Sequence, residues 1–171
     1  MTPPSFDASD QPPMDPLAGI LAVLLPGAGH WYQGQVRRAL LVGGGVLGLF
    51  FSGLLIGGID VVDSRQDRLW FFGQAIVGPV AFATDYVHQN VLKGLDPTTG
   101  QRRSPLPNEV KDPDSGRWVA GPAGSVPPVS KSLGKMNEIG TLYATIAGML
   151  NLIVIIDAAF PSAGRVRRRG A

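Results

Sequence analysis

His30 and His88 are the only histidines in this chain, and it contains no cysteine. Those two facts narrow the chemistry at once. Without thiols there are no disulfides, no thiolate zinc sites and no cysteine nucleophile. Neither histidine stands in an HxxxH or HExxH arrangement, so no metal site can be assembled by spacing alone. The triplet Gly43-Gly44-Gly45 lies inside an apolar run with no Lys-Ser/Thr after it, and is not a phosphate loop. A nucleophile elbow is also missing. No catalytic residue, cofactor or metal ligand is therefore assigned, and the expectation is a protein that is not an enzyme.

Five polar residues remain as candidates for an interface or a functional role. His30, Tyr32 and Gln33 sit in Pro26–Gln35, beside glycines. A functional reading makes this segment a headgroup or ligand contact, or a His-centred acid/base site. The structural reading, which the residues favour, is a turn whose aromatics anchor a helix pair at a membrane boundary. Nothing adjacent in sequence supplies a second catalytic group. Asn151 and Asp157 belong to a late apolar segment. An ionised acid inside a bilayer costs several kcal/mol unless paired. Asp157 lies close to Phe160, so it is expected to reach headgroups or water, or to serve as a structural partner. On a helical wheel it faces away from Gly148 and shares a side with Tyr143 and Leu150. Asp85, Tyr86 and His88 form a further small cluster, read as the end of a helix.

The elements that must hold these residues are apolar. Ala39–Ile59 carries no charge and one hydroxyl, Ser52. A helix of that length spans roughly 30 Å, the thickness of a bilayer's hydrocarbon core. Its many glycines would weaken a water-soluble helix by roughly 0.5–1 kcal/mol each, whereas in a membrane they allow close helix contact. Ile139–Phe160 is again long enough to span, and an Arg-rich tail at 161–171 follows it. Leu69–Ala83, extensible to Tyr86, contains Gln74 and a kinking Gly78-Pro79 pair. It is read as a third span, with a re-entrant or interfacial helix as the alternative. Leu17–Tyr32, interrupted at Pro26, is read as a marginal, kinked span. The predicted fold is thus an all-α membrane protein of about four hydrophobic helices, near 17–32, 39–59, 69–86 and 139–160.

Around them lie polar segments. Residues 1–15 hold Asp7, Asp10 and Asp15 without Lys or Arg, which fits a disordered polar arm and not a secretory signal. The Pro/Gly-rich loop 93–138 should be mostly irregular, except for a hairpin pairing Val110-Lys111 with Arg117-Trp118-Val119. A net charge of +2 is too small to argue for nucleic acid. Lys and Arg divide nine to six between the two sides of a four-span arrangement, which barely orients it.

Pro26-Gly27-Ala28-Gly29-His30-Trp31-Tyr32-Gln33-Gly34-Gln35, followed by Arg37-Arg38 and a glycine-rich span, resembles the motif of TM-two-type membrane domains. Ile155-Ile156-Asp157 looks like the apolar-Asp ending of their second helix. More closely, the chain is similar to a group of uncharacterised bacterial membrane proteins. That group pairs PGxGHxYQG with EIGTLY…AGxLNLxxxxDA, here Glu138–Ala158. The resemblance covers residues 16–92 and 136–160. It implies a multi-pass protein of the bacterial inner membrane and carries no established activity. From the TM-two pattern the chain departs by an extra apolar segment and the long loop.

Small residues recur at four-residue spacing, which places them on one helix face. Gly44, Gly48 and Ser52 form one such stripe, Gly53 and Gly57 another, and Gly140, Ala144 and Gly148 a third that Asn151 continues. These read as close-packing surfaces, with Asn151 as polar glue worth about 0.6 kcal/mol. The expected function is a membrane-embedded helix-packing or partner-binding component. Its partners would be the lipid bilayer and either itself or another membrane protein, with no nucleic acid. The alternative is a small transporter, channel or lipid-handling protein that uses the intramembrane polar residues.

Overall fold

The computed structural model describes residues 13–106, 108–124 and 135–161. Most of the expected N-terminal arm and C-terminal tail lies outside them. The chain runs through α1 (Pro16–Leu24), α2 (Ala28–Tyr32), α3 (Val36–Gly57), a 3-10 turn (Ile59–Val61), α4 (Arg68–Ala75) and α5 (Pro79–Val87). A π turn (His88–Leu92), four short strands and α6 (Lys135–Ala159) complete it.

Among the described residues, two helices are long and apolar enough to cross a membrane, α3 and α6. They run antiparallel. At one end Gly53 and Gly57 meet Gly140, and at the other Arg38 lies beside Asp157. The approach is as close as backbones allow: a Cβ on Gly140 would stand 2.6 Å from the Gly53 carbonyl oxygen. Val46, Phe50, Ala144, Ala147 and Val154 fill the seam, and Val77 and Ala81 close it from α5 and the turn before it.

The segment expected as one kinked helix over 17–32 is two helices folded back on each other. Asp15 starts α1 by accepting from the Ala18 amide, and Pro16 takes the first helical position, where its missing N–H costs nothing. The reversal has a local cause. Pro26 cannot extend the helical hydrogen bonding, and Gly27 adopts φ 86°, a left-handed conformation that side chains disfavour. α2 then returns along α1 until Gly29 packs under Ala18 and Ala158.

The segment 69–86 also divides, into α4 and α5, around Gly78 at φ 107° with Pro79 opening α5. The turns of the two hairpins meet: a Cβ on Gly78 would stand 2.5 Å from the Val23 carbonyl oxygen. The first hairpin enters from the Asp157 end of the α3–α6 pair, since the Asp15 amide donates to the Ala159 carbonyl. The second enters from the opposite end, where Asp63 precedes α4 and His88 follows α5.

The Gly44/Gly48/Ser52 stripe does not pack within this chain. Gly44 and Gly48 open on nothing within 4 Å, and Ser52 is half-buried. Helix α3 is rotated so that Gly43, Gly53 and Gly57 face its neighbours instead. The described part of the polar loop likewise carries more regular structure than its composition implies. β1 (Gly94–Leu95) pairs β2 (Arg102–Arg103), and β3 (Glu109–Lys111) pairs β4 (Trp118–Ala120) around the expected turn at Asp112. Trp118 is buried against Gly94, and its indole N–H donates to the Arg103 carbonyl.

Candidate functional site

Helix α2 is too short to be stable alone, but it carries His30 to the end of α6. The imidazole is fully buried, and its Nε2 lies 2.8 Å from Asp157 Oδ2. The same oxygen accepts from Arg38 Nη2 at 2.5 Å, from the first turn of α3. Gln33, at the end of α2, donates to the Ala158 carbonyl at 2.7 Å and reaches Asp15 at 3.4 Å. Three helices thus close on the last turn of α6 through one carboxylate and one amide. Asp157 is about a quarter exposed and Arg38 two-fifths, so this ion pair contributes no more than about 1 kcal/mol. The buried histidine bond carries more of the geometry. The ring's Nδ1 is buried and has no hydrogen-bond partner among the described residues.

Asn151 sits elsewhere, where the two hairpin turns meet. Its Nδ2 donates to Ile76 O at 2.8 Å, at the turn after α4, and to Ala22 O at 3.3 Å, near the end of α1. Its amide oxygen is buried with no hydrogen-bond partner among the described residues. Of the five candidates, His30, Gln33 and Asp157 come together, Asn151 stands apart at the hairpin junction, and Tyr32 is half-exposed. Gly140, Ala144 and Gly148 are all buried against neighbouring helices, Gly148 against the backbone of Gly73.

A family model described as "Family of unknown function (DUF6677)" matches residues 17–170. The chain belongs to this family. No curated protein and no solved structure matches it. The matched region takes in nearly all of both hairpins, both long helices and the loop, so apart from Asp15 the polar clusters fall within the DUF6677 region.

A second cluster, of which the sequence singles out only Asp85 and His88, closes the other end. Lys93 and Asp63 form a buried ion pair at 2.5 Å. Asp63 Oδ1 also accepts from Gln89 Nε2 and from the amides of Arg65 and Gln66. Burial works to raise the Asp63 pKa, but the Lys93 ammonium and those amides outweigh it and hold the carboxyl below its ordinary value. Asp85 accepts from the Ser64 amide and hydroxyl, tying α5 to the same loop. Gln74, fully buried on α4, donates to Val61 O. The available signal was the concentration of Asp60, Asp63, Asp85, His88 and Lys93 at the edges of apolar runs. Periodicity offered no means of pairing them.

Proposed function

We propose that this chain is an integral membrane protein in which two full-length spans clamp two half-depth hairpins inserted from opposite faces. The observation that carries it is the outward surface of the long helices. Only 28% of the spanning window of α3 and 39% of that of α6 is buried inside the protein, whereas a core helix of a soluble protein is mostly covered. Leu41, Leu55, Leu69, Phe72 and Ile153 all point outward with most of their surface exposed, an arrangement that water penalises and lipid does not. At 1.5 Å per residue α1 and α4 each reach only about 12–14 Å, less than half the core of a bilayer. Alkaline carbonate washing of membranes tests the assignment: the protein should stay in the pellet and need detergent for release. Recovery in the soluble fraction would refute it.

Within the membrane the reading is a non-enzymatic helix-packing component. His30 and Asn151 are wholly buried among helices, as packing requires and substrate access does not. The outward cleft between α1, α2 and α3, about 540 Å³ and lined by Leu21, Leu25, Trp31, Leu40 and Leu47 among others, includes neither of them. One observation favours transport instead. Broken helices that meet near mid-membrane, beside a polar side chain with an unsatisfied oxygen, are where many transporters bind substrate. The cysteine-free chain makes the choice measurable. An Ala22→Cys thiol beside Asn151 should resist a water-soluble maleimide under the packing reading. Rapid labelling in proteoliposomes would establish a water path and favour transport.

A further inference from the structure

We propose that Asp60, Asp63 and His88 bind one divalent transition-metal ion of the Zn2+ class, in the polar cluster beyond the end of α3. All three residues are at least 97% buried, and one ligand atom from each lies within 4.8 Å of the others. Asp60 Oδ1 and His88 Nε2 are 3.4 Å apart. That is long for a hydrogen bond. It equals the ligand–ligand edge of a tetrahedral site, about 3.4 Å for metal bonds of about 2.1 Å.

The tautomer of His88 supplies an independent argument. Its Nδ1 lies 3.2 Å from the Val62 carbonyl oxygen. A carbonyl only accepts, so Nδ1 carries the proton. In the neutral ring Nε2 then presents a lone pair, fully buried and without a hydrogen-bond partner among the described residues, toward the Asp60 carboxylate. Acceptor facing acceptor is repulsive unless a cation joins them. An Nδ1–H bonded to a backbone carbonyl is also how metal-binding histidines are oriented to ligate through Nε2.

The surroundings complete the case. Ser104 Oγ donates to Asp60 at 3.2 Å, and Gln89 with two backbone amides steadies Asp63; such outer contacts orient carboxylate ligands. Lys93 already holds one oxygen of Asp63. The ion therefore shares that carboxylate with an ammonium, and the metal-free fold keeps a stabilising pair of its own.

The test uses tag-free, full-length protein in detergent, stripped with EDTA and titrated with Zn2+ against a chromophoric chelator. Wild type should take up one ion per chain, and Co2+ should give visible d–d absorption bands. His88→Ala and Asp60→Asn should each weaken Zn2+ binding by at least about 100-fold, the upper end of what loss of an outer-shell partner costs. Asp60→Asn keeps the side-chain shape and an acceptor for Ser104, and its melting curve in EDTA checks that it folds. Failure of wild type to bind Zn2+ stoichiometrically, with a His88 imidazolium seen by NMR, overturns the proposal. So does a His88→Ala variant that folds and binds as wild type does.

Discussion

His30 and Asp157 are 127 residues apart in the chain and 2.8 Å apart in the fold. The bond joins the returning arm of the first hairpin to the last turn of α6, and Arg38 completes it from α3. Asp157 is thus held by two side chains, the structural role that the sequence offered beside contact with headgroups or water, and it anchors three elements.

That anchoring sets up the first comparison, between Gly148→Leu and Asp157→Asn. A Cβ at Gly148 would overlap the Gly73 carbonyl, which is backbone and cannot swing aside. Gly148→Leu should cost more than about 3 kcal/mol, at or beyond the usual limit for overpacking. Asp157→Asn keeps an acceptor for His30 and loses the charge facing Arg38, at no more than about 1 kcal/mol. Unfolding of both variants in the same detergent gives the order. A larger loss for Asp157→Asn would mean that the carboxylate is far more tightly enclosed than its partial exposure implies.

The glycines of α3 should separate into two classes. Gly53 has the Gly140 carbonyl 2.7 Å from where a Cβ would be, while Gly44 and Gly48 have nothing within 4 Å. Gly53→Val should destabilise by about 1–3 kcal/mol. Gly44→Ala and Gly48→Ala should be neutral or stabilising by up to about 1 kcal/mol, because alanine restricts the unfolded chain. Equal losses at all three positions would place the exposed stripe in contact with another helix.

Topology distinguishes hairpins from spans. If both hairpins turn back, Arg37 lies on the same face as Pro161, and Arg65 lies on the face of the loop. Four full spans would reverse both relationships. Single cysteines at 37, 65 and 161 in the otherwise cysteine-free chain, labelled from one side of sealed vesicles, should show 37 and 161 reacting together. Joint reaction of 65 and 161 would restore the four-span arrangement.

Acid should loosen the loop end first. Asp63, Asp96, Glu109 and Asp112 are all held below their ordinary values. For Asp63, Lys93 and backbone amides prevail over burial; for Asp96, Thr98 and Arg103 act; for Glu109, Arg103; for Asp112, Ser115. A carboxylate depressed in the folded state stabilises it above the unfolded value and loses that contribution as pH falls through the folded value. The loss should therefore begin below about pH 4 and be absent at neutral pH. Hydrogen exchange across 94–120, corrected for intrinsic rates, should speed up on going from pH 6 to pH 3, while α3 and α6 stay protected. Because Arg102, Arg103 and Lys111 are bonded to the backbone or to carboxylates, tryptic cutting there at neutral pH should be slow. Fast cutting would show that the loop opens despite these bonds.

By itself the sequence determined the two long apolar helices and the small-residue face of α6. Length, absence of charge and four-residue spacing are local properties that burial in lipid or protein rewards directly. The 110–119 hairpin was legible for the same reason, since its turn residues are contiguous. The sequence also marked the two places where the chain reverses, at Pro26-Gly27 and Gly78-Pro79, but a kink and a hairpin share the same residues. Tertiary packing decided between them, through the Gly29 contact with α1 and α6 and the meeting of Gly78 with Val23. It also chose which glycines of α3 face neighbours, because rotation about a helix axis is set by the partner and not by the helix. The polar clusters were out of reach of spacing altogether. His30 finds Asp157 only after antiparallel packing of α3 and α6 sets the first hairpin against the end of α6, and His88 finds Asp60 only after the α4–α5 hairpin returns to the end of α3.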